Sequence, residues 1–591
     1  MKKKDLCVRF CGIAGDGIVT AGKLLSGVCA KLGLDLIVND NFSAEIRGLG
    51  KSTTDIRFSP SGVRSMGDGI DILVALASAD SVTELKDLKE GGCVLYEDDG
   101  KDHERHDLSG HIPEGIERCP VPLNLLTQQA TGSKMGRNLV ALGALAYLLD
   151  FPRVAFEEAL KKLLSKKGER VVDLNTKALQ LGYEFTEAHY EPHGSLEVPT
   201  TAESKQMITG NQAIAQGALD CGLSFFAGYP ITPATTIMEI VARDLPKLGG
   251  WMLQAEDEIA ALGAVLGGWY SGKRSMTSTS GPGLCLMSEM INMAVMAEIP
   301  LVIVNVQRGG PSTGLPTKVE QSDLNISLYG GAGDSPRVVM APSTCRECYT
   351  GIQLAFDLAE KYQTPVIFLS DLFLGQRTVT ANVSRHMDRE RCTRITPSTE
   401  ELIDYKRFRV TDNGVSPLLV PGEKGAFYTV TGLEHSESGN PNYESGVHRD
   451  MTKKRYRKFD SMLVDLPRAE IFGDEDARIG LTTWGSPFGA VLEGMELARE
   501  RGIKSKIIRS IMINPQPEAE FRRFFDSCDR IIIPEMNFEG QYAALLKSRY
   551  IIRPLQVHLP GVVPVSPAKI AAKIEDVHNE LVAEATCPAG V

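Results

Sequence analysis

The sequence has 591 residues, too many for one hydrophobic core, so about three or four structural units are expected. Its 43% hydrophobic and 24% charged residues are those of a soluble globular protein. A formal charge of −11 weighs against nucleic acid or an anionic membrane surface as the main partner, and suits docking to a basic patch.

The start, Met1-Lys2-Lys3-Lys4-Asp5-Leu6, is basic, but only a short strand follows it. Without a long apolar segment or a small-residue cleavage site, no signal peptide is expected, and the expected compartment is the cytoplasm. Residues 6–18 alternate as a strand, turn through Gly12, Gly15, Asp16 and Gly17, and open a helix. The spacing departs from the dinucleotide fingerprint G-x-G-x-x-G, and Asp16 disfavours a bare phosphate, so nicotinamide binding is not expected. A polar loop spans 39–51, and strands are expected at 34–38, 52–58 and 93–96. Ile70-Asp71-Ile72-Leu73-Val74-Ala75-Leu76 is nearly all apolar, as in a parallel strand covered on both faces. Helices are expected at 135–149 and 154–166. Alternating strands and helices predict a three-layer α/β domain over 1–186, followed by a linker at 187–206 that contains His193-Gly194-Ser195 and Pro199.

A second α/β domain is expected over 207–384. It opens on a capped helix from Ile208-Thr209-Gly210. Three glycine-rich or polar loops each follow a predicted strand. They are Gly228-Tyr229-Pro230-Ile231-Thr232-Pro233, Thr279-Ser280-Gly281-Pro282-Gly283, and Gln307-Arg308-Gly309-Gly310-Pro311-Ser312-Thr313-Gly314. In an open parallel sheet that edge binds ligands. Glu256-Asp257-Glu258 opens an alanine- and glycine-rich helix, and three carboxylates there need either the macrodipole or a ligand to offset their repulsion. The apolar run 299–306 is far short of the roughly 20 residues that cross a membrane. Twelve cysteines are scattered along the chain. Cys345-Arg346-Glu347-Cys348 lacks a second pair at metal-ligand spacing, so a helix start with two thiols is expected, with no iron–sulfur cluster and no metal. Residues 385–470 predict an extended arm, with Lys453-Lys454-Arg455-Tyr456-Arg457-Lys458 as a solvated basic face. A third α/β domain is expected over 471–591, with strands at 479–483, 506–509, 530–534 and 555–559.

These motifs carry a resemblance. Residues 208–591 resemble the α subunit of 2-oxoacid:ferredoxin oxidoreductases, on Gly228–Pro233, on Glu256-Asp257-Glu258-Ile259-Ala260-Ala261, on Thr279–Gly283 and on 307–318 with Glu320-Gln321-Ser322-Asp323. Residues 6–185 resemble the family's γ subunit, here fused in front. The implied fold is a multidomain α/β chain: a γ-type domain, a thiamine-diphosphate-binding domain of the pyrimidine type, and a transketolase C-terminal-like domain. The resemblance implies that Glu258 is the catalytic acid, activating the cofactor at its aminopyrimidine nitrogen. Tyr229, Pro230, Ile231 and Thr232 would bind the cofactor with it. Arg308 and Thr232 would bind the 2-oxoacid, since a guanidinium fork suits a carboxylate. Coenzyme A would be the acyl acceptor, with Lys51 and Ser52 as candidate contacts. Neither Gly15-Asp16-Gly17 nor Gly67-Asp68-Gly69 has a convincing downstream partner for a Mg-diphosphate motif. Mg2+ and a [4Fe-4S] cluster are therefore expected in a separate β subunit, which would also meet ferredoxin, in a dimer of αβ heterodimers. The fused order, Leu369-Ser370-Asp371, Gly414-Val415-Ser416-Pro417 and Gly432-Leu433-Glu434-His435 look most like 2-oxoglutarate enzymes. Branched-chain and aryl-pyruvate relatives share the core motifs. The reading from another class is a non-catalytic scaffold subunit. The γ-like domain departs from the commoner pattern at Asp16 and at Arg47-Gly48-Leu49-Gly50-Lys51-Ser52.

Overall fold

The structure is a computed structural model that describes residues 3–13, 15–42, 50–98, 108–133, 135–194, 196, 198, 203–383, 385, 391–424, 427–559 and 561–586. The loop residues 43–49, including Arg47, and Ser195 and Pro199 of the expected linker lie outside the described residues. Two compact units emerge: Met1–Ile208 with Arg377–Asn382, and Thr209–Gln376 with Val383–Val591.

The first unit is built on an eight-stranded sheet. Its centre is the strand Leu6–Ile13, parallel to Ile70–Ala75 on one side and antiparallel to Lys51–Ser59 on the other. The sheet is therefore mixed. Every residue of Ile70–Ala75 is buried, as the apolar run predicts. The exception to its apolarity, Asp71, is satisfied: its carboxylate accepts from the Cys7 N–H (2.9 Å) and from Lys89 (2.9 Å) and Lys3 (3.1 Å). The small-residue helix forms as Arg137–Leu148 and packs on Glu169–His189 so closely that a Cβ at Gly143 would lie 2.0 Å from the Leu179 oxygen. The second of these helices runs past the expected boundary at 186, because Thr186 still bonds back to Gly182 and its turn faces the core.

The second unit holds two sheets. The seven-stranded one runs in the order Met512–Asn514, Val338–Met340, Pro365–Asp371, Leu301–Gln307, Ser275–Thr279, Phe225–Gly228, Trp251–Gln254. All of its pairings are parallel except that of the edge strand Met512–Asn514. The five-stranded one comprises Glu470–Gly473, Lys506–Arg509, Ile479–Thr482, Arg530–Glu535 and Leu555–His558, and four of these are the expected C-terminal strands. Gln321 joins the two sheets' loops. It is fully buried, its N–H donates to the Met536 oxygen (2.7 Å), and its amide donates to the Trp484 oxygen (3.0 Å). Cys345 and Cys348 are both buried in the helix Cys345–Tyr362, capped by Thr344.

The expected arm differs. Among the described residues of 391–444 there is no regular helix or strand, but Ser445–Met462 is a helix, and its basic run is not a solvated face. Lys454 and Lys458 are buried at 0% and 2% side-chain exposure and both grip the carboxylate of Glu298, at 2.6 and 2.6 Å. Arg407, also buried, donates to the Glu298 backbone oxygen (2.7 Å).

Candidate active site

Three neighbouring parallel strands, Phe225–Gly228, Ser275–Thr279 and Leu301–Gln307, end in the three loops singled out in the sequence. Parallel strands release their loops on one edge, so the motifs converge without any long-range folding code beyond the sheet order.

The three clustered acids separate by role. Glu256 is exposed. Asp257 is the N-cap of the helix Glu258–Tyr270, its carboxylate accepting from the Ala260 N–H at 2.7 Å. Glu258 is 6% exposed, and among the described residues no hydrogen bond or ion pair engages its carboxylate. It lies against Gly283: a Cβ there would sit 2.7 Å from Glu258 Oε1 and 2.1 Å from Thr279 Oγ1. Glycine at this position is what lets the acid lie down on the Ser280 loop. Ser280 Oγ is itself buried with no partner among the described residues. A hydroxyl buried without a partner beside that acid is costly unless a ligand satisfies it.

The turn after Phe225–Gly228 is fixed by a cis Thr232–Pro233 bond and by Asn211, whose amide donates to the Pro233 oxygen at 2.9 Å. Tyr229 and Pro230 are exposed, and Ile231 and Thr232 half-buried. Arg308 is 7% exposed and donates through Nη1 to the Thr232 oxygen at 2.7 Å, while its Nε is buried with no partner among the described residues. The structure thus joins two of the expected substrate residues.

Asp323 has no assigned role in the sequence reading, although it lies in a quoted motif. It accepts from the Asn305 amide at 2.9 Å, and a Cβ at Gly281 would lie 2.8 Å from its carboxylate oxygens. Burial, above all, raises its pKa to about 6. A signal existed: Asn305 is the polar residue in the otherwise apolar strand Leu301-Val302-Ile303-Val304-Asn305-Val306. Arg308 is pushed below its usual value by burial, with Asp323 acting the other way.

Lys51 and Ser52 belong to the first unit. Ser52 pairs with Gly12 in the sheet. The Lys51 ammonium donates to Thr83 Oγ1 (2.6 Å) and pairs with Glu84. Asp16 is held by Arg137 (2.5 Å) and accepts from the Ile13 N–H (2.9 Å), so this glycine turn is closed by its own acid.

The residues of the second unit fit one end of thiamine diphosphate. Glu258, a largely buried carboxyl group with no protein partner among the described residues, lies over Gly283, where a larger residue would crowd it. Fold and site together therefore define the pyrimidine-binding half of a thiamine-dependent enzyme. The comparisons with known proteins agree. The family model described as pyruvate flavodoxin/ferredoxin oxidoreductase, thiamine diP-bdg matches residues 216–454, and that described as pyruvate ferredoxin/flavodoxin oxidoreductase matches residues 7–185. The solved 2-oxoglutarate:ferredoxin oxidoreductase from Magnetococcus marinus, with 2-oxoglutarate, coenzyme A and succinyl-CoA bound, is 38% identical. It superposes at a TM-score of 0.92 over 97% of this chain and 100% of that chain. The 2-oxoglutarate oxidoreductase subunit KorA of Mycobacterium tuberculosis is 32% identical over 93% of this chain and 88% of the relative. Subunit alpha of 2-oxoacid:ferredoxin oxidoreductase 2 from Aeropyrum pernix is 29% identical over 93% and 94%. The chain belongs to the 2-oxoacid:ferredoxin oxidoreductase family, as an α subunit with a γ-type domain fused in front.

Among the described residues no helix is long and apolar enough to cross a membrane.

Proposed function

We propose that this chain, with a separate β subunit, oxidatively decarboxylates 2-oxoglutarate: oxoacid, coenzyme A and two oxidised ferredoxins give succinyl-CoA, carbon dioxide, a proton and two reduced ferredoxins, or the reverse. The observation that carries the reading is Glu258, buried and unpaired against Gly283. Bound thiamine diphosphate supplies the electron sink for the carbanion that decarboxylation leaves. Glu258 would exchange a proton between its carboxyl group and the cofactor's ring nitrogen. Thr232, Tyr229, Pro230 and Ile231 shape the turn beside it. Arg308, anchored on Thr232, presents its remaining donors to a substrate carboxylate. Mg2+, the iron–sulfur cluster and the ferredoxin contact belong to the β subunit in this reading, with two αβ pairs assembling in a reducing cytoplasm. Coenzyme A falls to the first unit, where Lys51 would exchange Glu84 for a phosphate beside Ser52.

The preference for 2-oxoglutarate over branched-chain or aryl oxoacids is supported by two of the relatives named above, whose names carry that substrate. The test is to express the chain alone and with its β partner and to follow oxoacid- and CoA-dependent reduction of ferredoxin or a viologen. Activity is expected only for the pair, with kcat/KM highest for 2-oxoglutarate against pyruvate and 2-oxoisovalerate. The Glu258→Gln variant is expected to lose at least about 100-fold. Unchanged turnover in that variant would return the chain to the scaffold reading.

A further inference from the structure

The first unit carries a donor cluster that this reaction does not use. Its strands Leu88–Glu97 and Glu117–Val121 are parallel neighbours, and Cys93 lies opposite Glu117 in their register. Paired positions leave a sheet on the same face. His193 comes to that place from outside the sheet. Its N–H and that of Gly194 donate to the Leu148 oxygen, at 2.9 and 3.2 Å. Its Nδ1 lies 2.6 Å from Glu117 Oε2, and its side chain is only 6% exposed. One donor atom from each of Cys93, Glu117 and His193 lies within 4.8 Å of the other two.

The plain reading is a histidine–carboxylate pair resting on a core thiol. It accounts for Nδ1 but not for Nε2, which is buried and, among the described residues, has no hydrogen-bond partner. A ring nitrogen shut away from water without a partner is an exception that asks for a ligand. A thiol, an imidazole and a carboxylate are together the donor set of zinc. The same arrangement also lets the carboxylate orient the imidazole, as outer partners of metal-bound histidines do.

We propose that Cys93, His193 and Glu117 form a zinc site, distinct from the thiamine site, that pins the segment after the helix Glu169–His189 to the sheet. Burial pushes the Cys93 thiol up, so zinc uptake displaces its proton and is driven by the metal–sulfur bond.

The full-length chain, stripped with a chelator and dialysed, is challenged with zinc in competition with a chromophoric zinc indicator, and separately with Co2+. One zinc withheld per chain is expected, with a thiolate-to-cobalt charge-transfer band in the Co2+ form. Cys93→Ser and His193→Asn should each abolish both signals, and Glu117→Gln should weaken zinc binding roughly 10–100-fold. Cys528→Ser, in the other unit, should keep both. Circular dichroism checks that each variant is folded. If Cys93→Ser fails to fold, His193→Asn carries the test, since its loss removes no buried thiol. No zinc retained by the folded chain, or full retention in His193→Asn, overturns the proposal.

Discussion

Arg308 donates through Nη1 to the backbone oxygen of Thr232 at 2.7 Å, so the loop after one strand is held by the turn after another. Both residues are substrate candidates, and the bond means the guanidinium is already oriented before any oxoacid arrives. Lysine at this position keeps the charge but loses the planar fork and the anchor. Arg308→Lys is therefore expected to lower kcat/KM for the oxoacid by about tenfold to a hundredfold, the range of one charge-assisted hydrogen bond. The change should fall mainly on the oxoacid KM, with the KM for coenzyme A unchanged. Steady-state kinetics of the αβ enzyme with each substrate varied in turn decides it.

Gly283→Ala tests the cradle. The new methyl group would meet Thr279 Oγ1 at 2.1 Å and the Glu258 carboxylate at 2.7 Å, so Glu258 must move. Since a misplacement of about 1 Å in a catalytic group can cost 100-fold, a loss of that order is expected in kcat. The fold should survive, because Glu258 can shift toward the ligand side. Matched circular dichroism with retained activity would show that Glu258 does not need this position.

Much of this site was legible. The resemblance set Glu258 apart from Glu256 and Asp257, and the structure separates the three in the same way: Glu258 is buried, Glu256 is exposed, and Asp257 is the N-cap. The three loops followed from strand ends alone. What was missed are two burials that depend on residues far away in sequence. The basic run at 453–458 looks solvated because its counter-charge, Glu298, stands 156 residues before Lys454. Lys454 and Lys458 are one helical turn apart and so share a face, but spacing cannot say that the face is buried. Asp323 was passed over for the same reason. Its burial depends on Asn305 and on Gly281 lying above it, and neither is local.

Asp323 gives the enzyme a pH dependence. Burial raises its pKa from 3.8 to about 6. The folded chain therefore holds the proton through a window in which the unfolded chain has lost it, and stability contributed by the neutral form is lost as pH rises from about 4 through about 6. Ionised Asp323 also competes with a substrate carboxylate for the field of Arg308. The oxoacid KM is expected to rise as pH is raised through about 6, and Asp323→Asn should remove that inflection. A pH profile of kcat/KM for both forms, measured from pH 5 to 8, checks it; the same inflection in the variant would assign it to another group.

The charge cluster around Glu298 should set the stability of the second unit. Lys454 and Lys458 both lie within 2.7 Å of its carboxylate, and Arg407 holds its backbone oxygen. The surrounding cations hold the carboxyl well below its usual range. Burial pushes Lys454 down to about 7, and the carboxylate is what keeps it charged at all. Replacing Glu298 with glutamine removes the counter-charge from two buried lysines, which must then shed their protons or stay charged away from water, and breaking a buried pair in this way costs about 3–5 kcal/mol. A lower midpoint in urea is expected, with catalysis by the surviving folded enzyme unchanged. Exchanging the group as a whole is a different operation. A triple variant, Glu298→Leu with Lys454→Met and Lys458→Met, removes the carboxylate and both ammonium groups, leaving Arg407 as the remaining buried charge, and should recover part of the loss, since apolar side chains of similar volume often replace buried ion pairs without cost. A midpoint for the triple variant as low as that of Glu298→Gln would mean that the cluster stabilises by packing shape rather than by pairing charge.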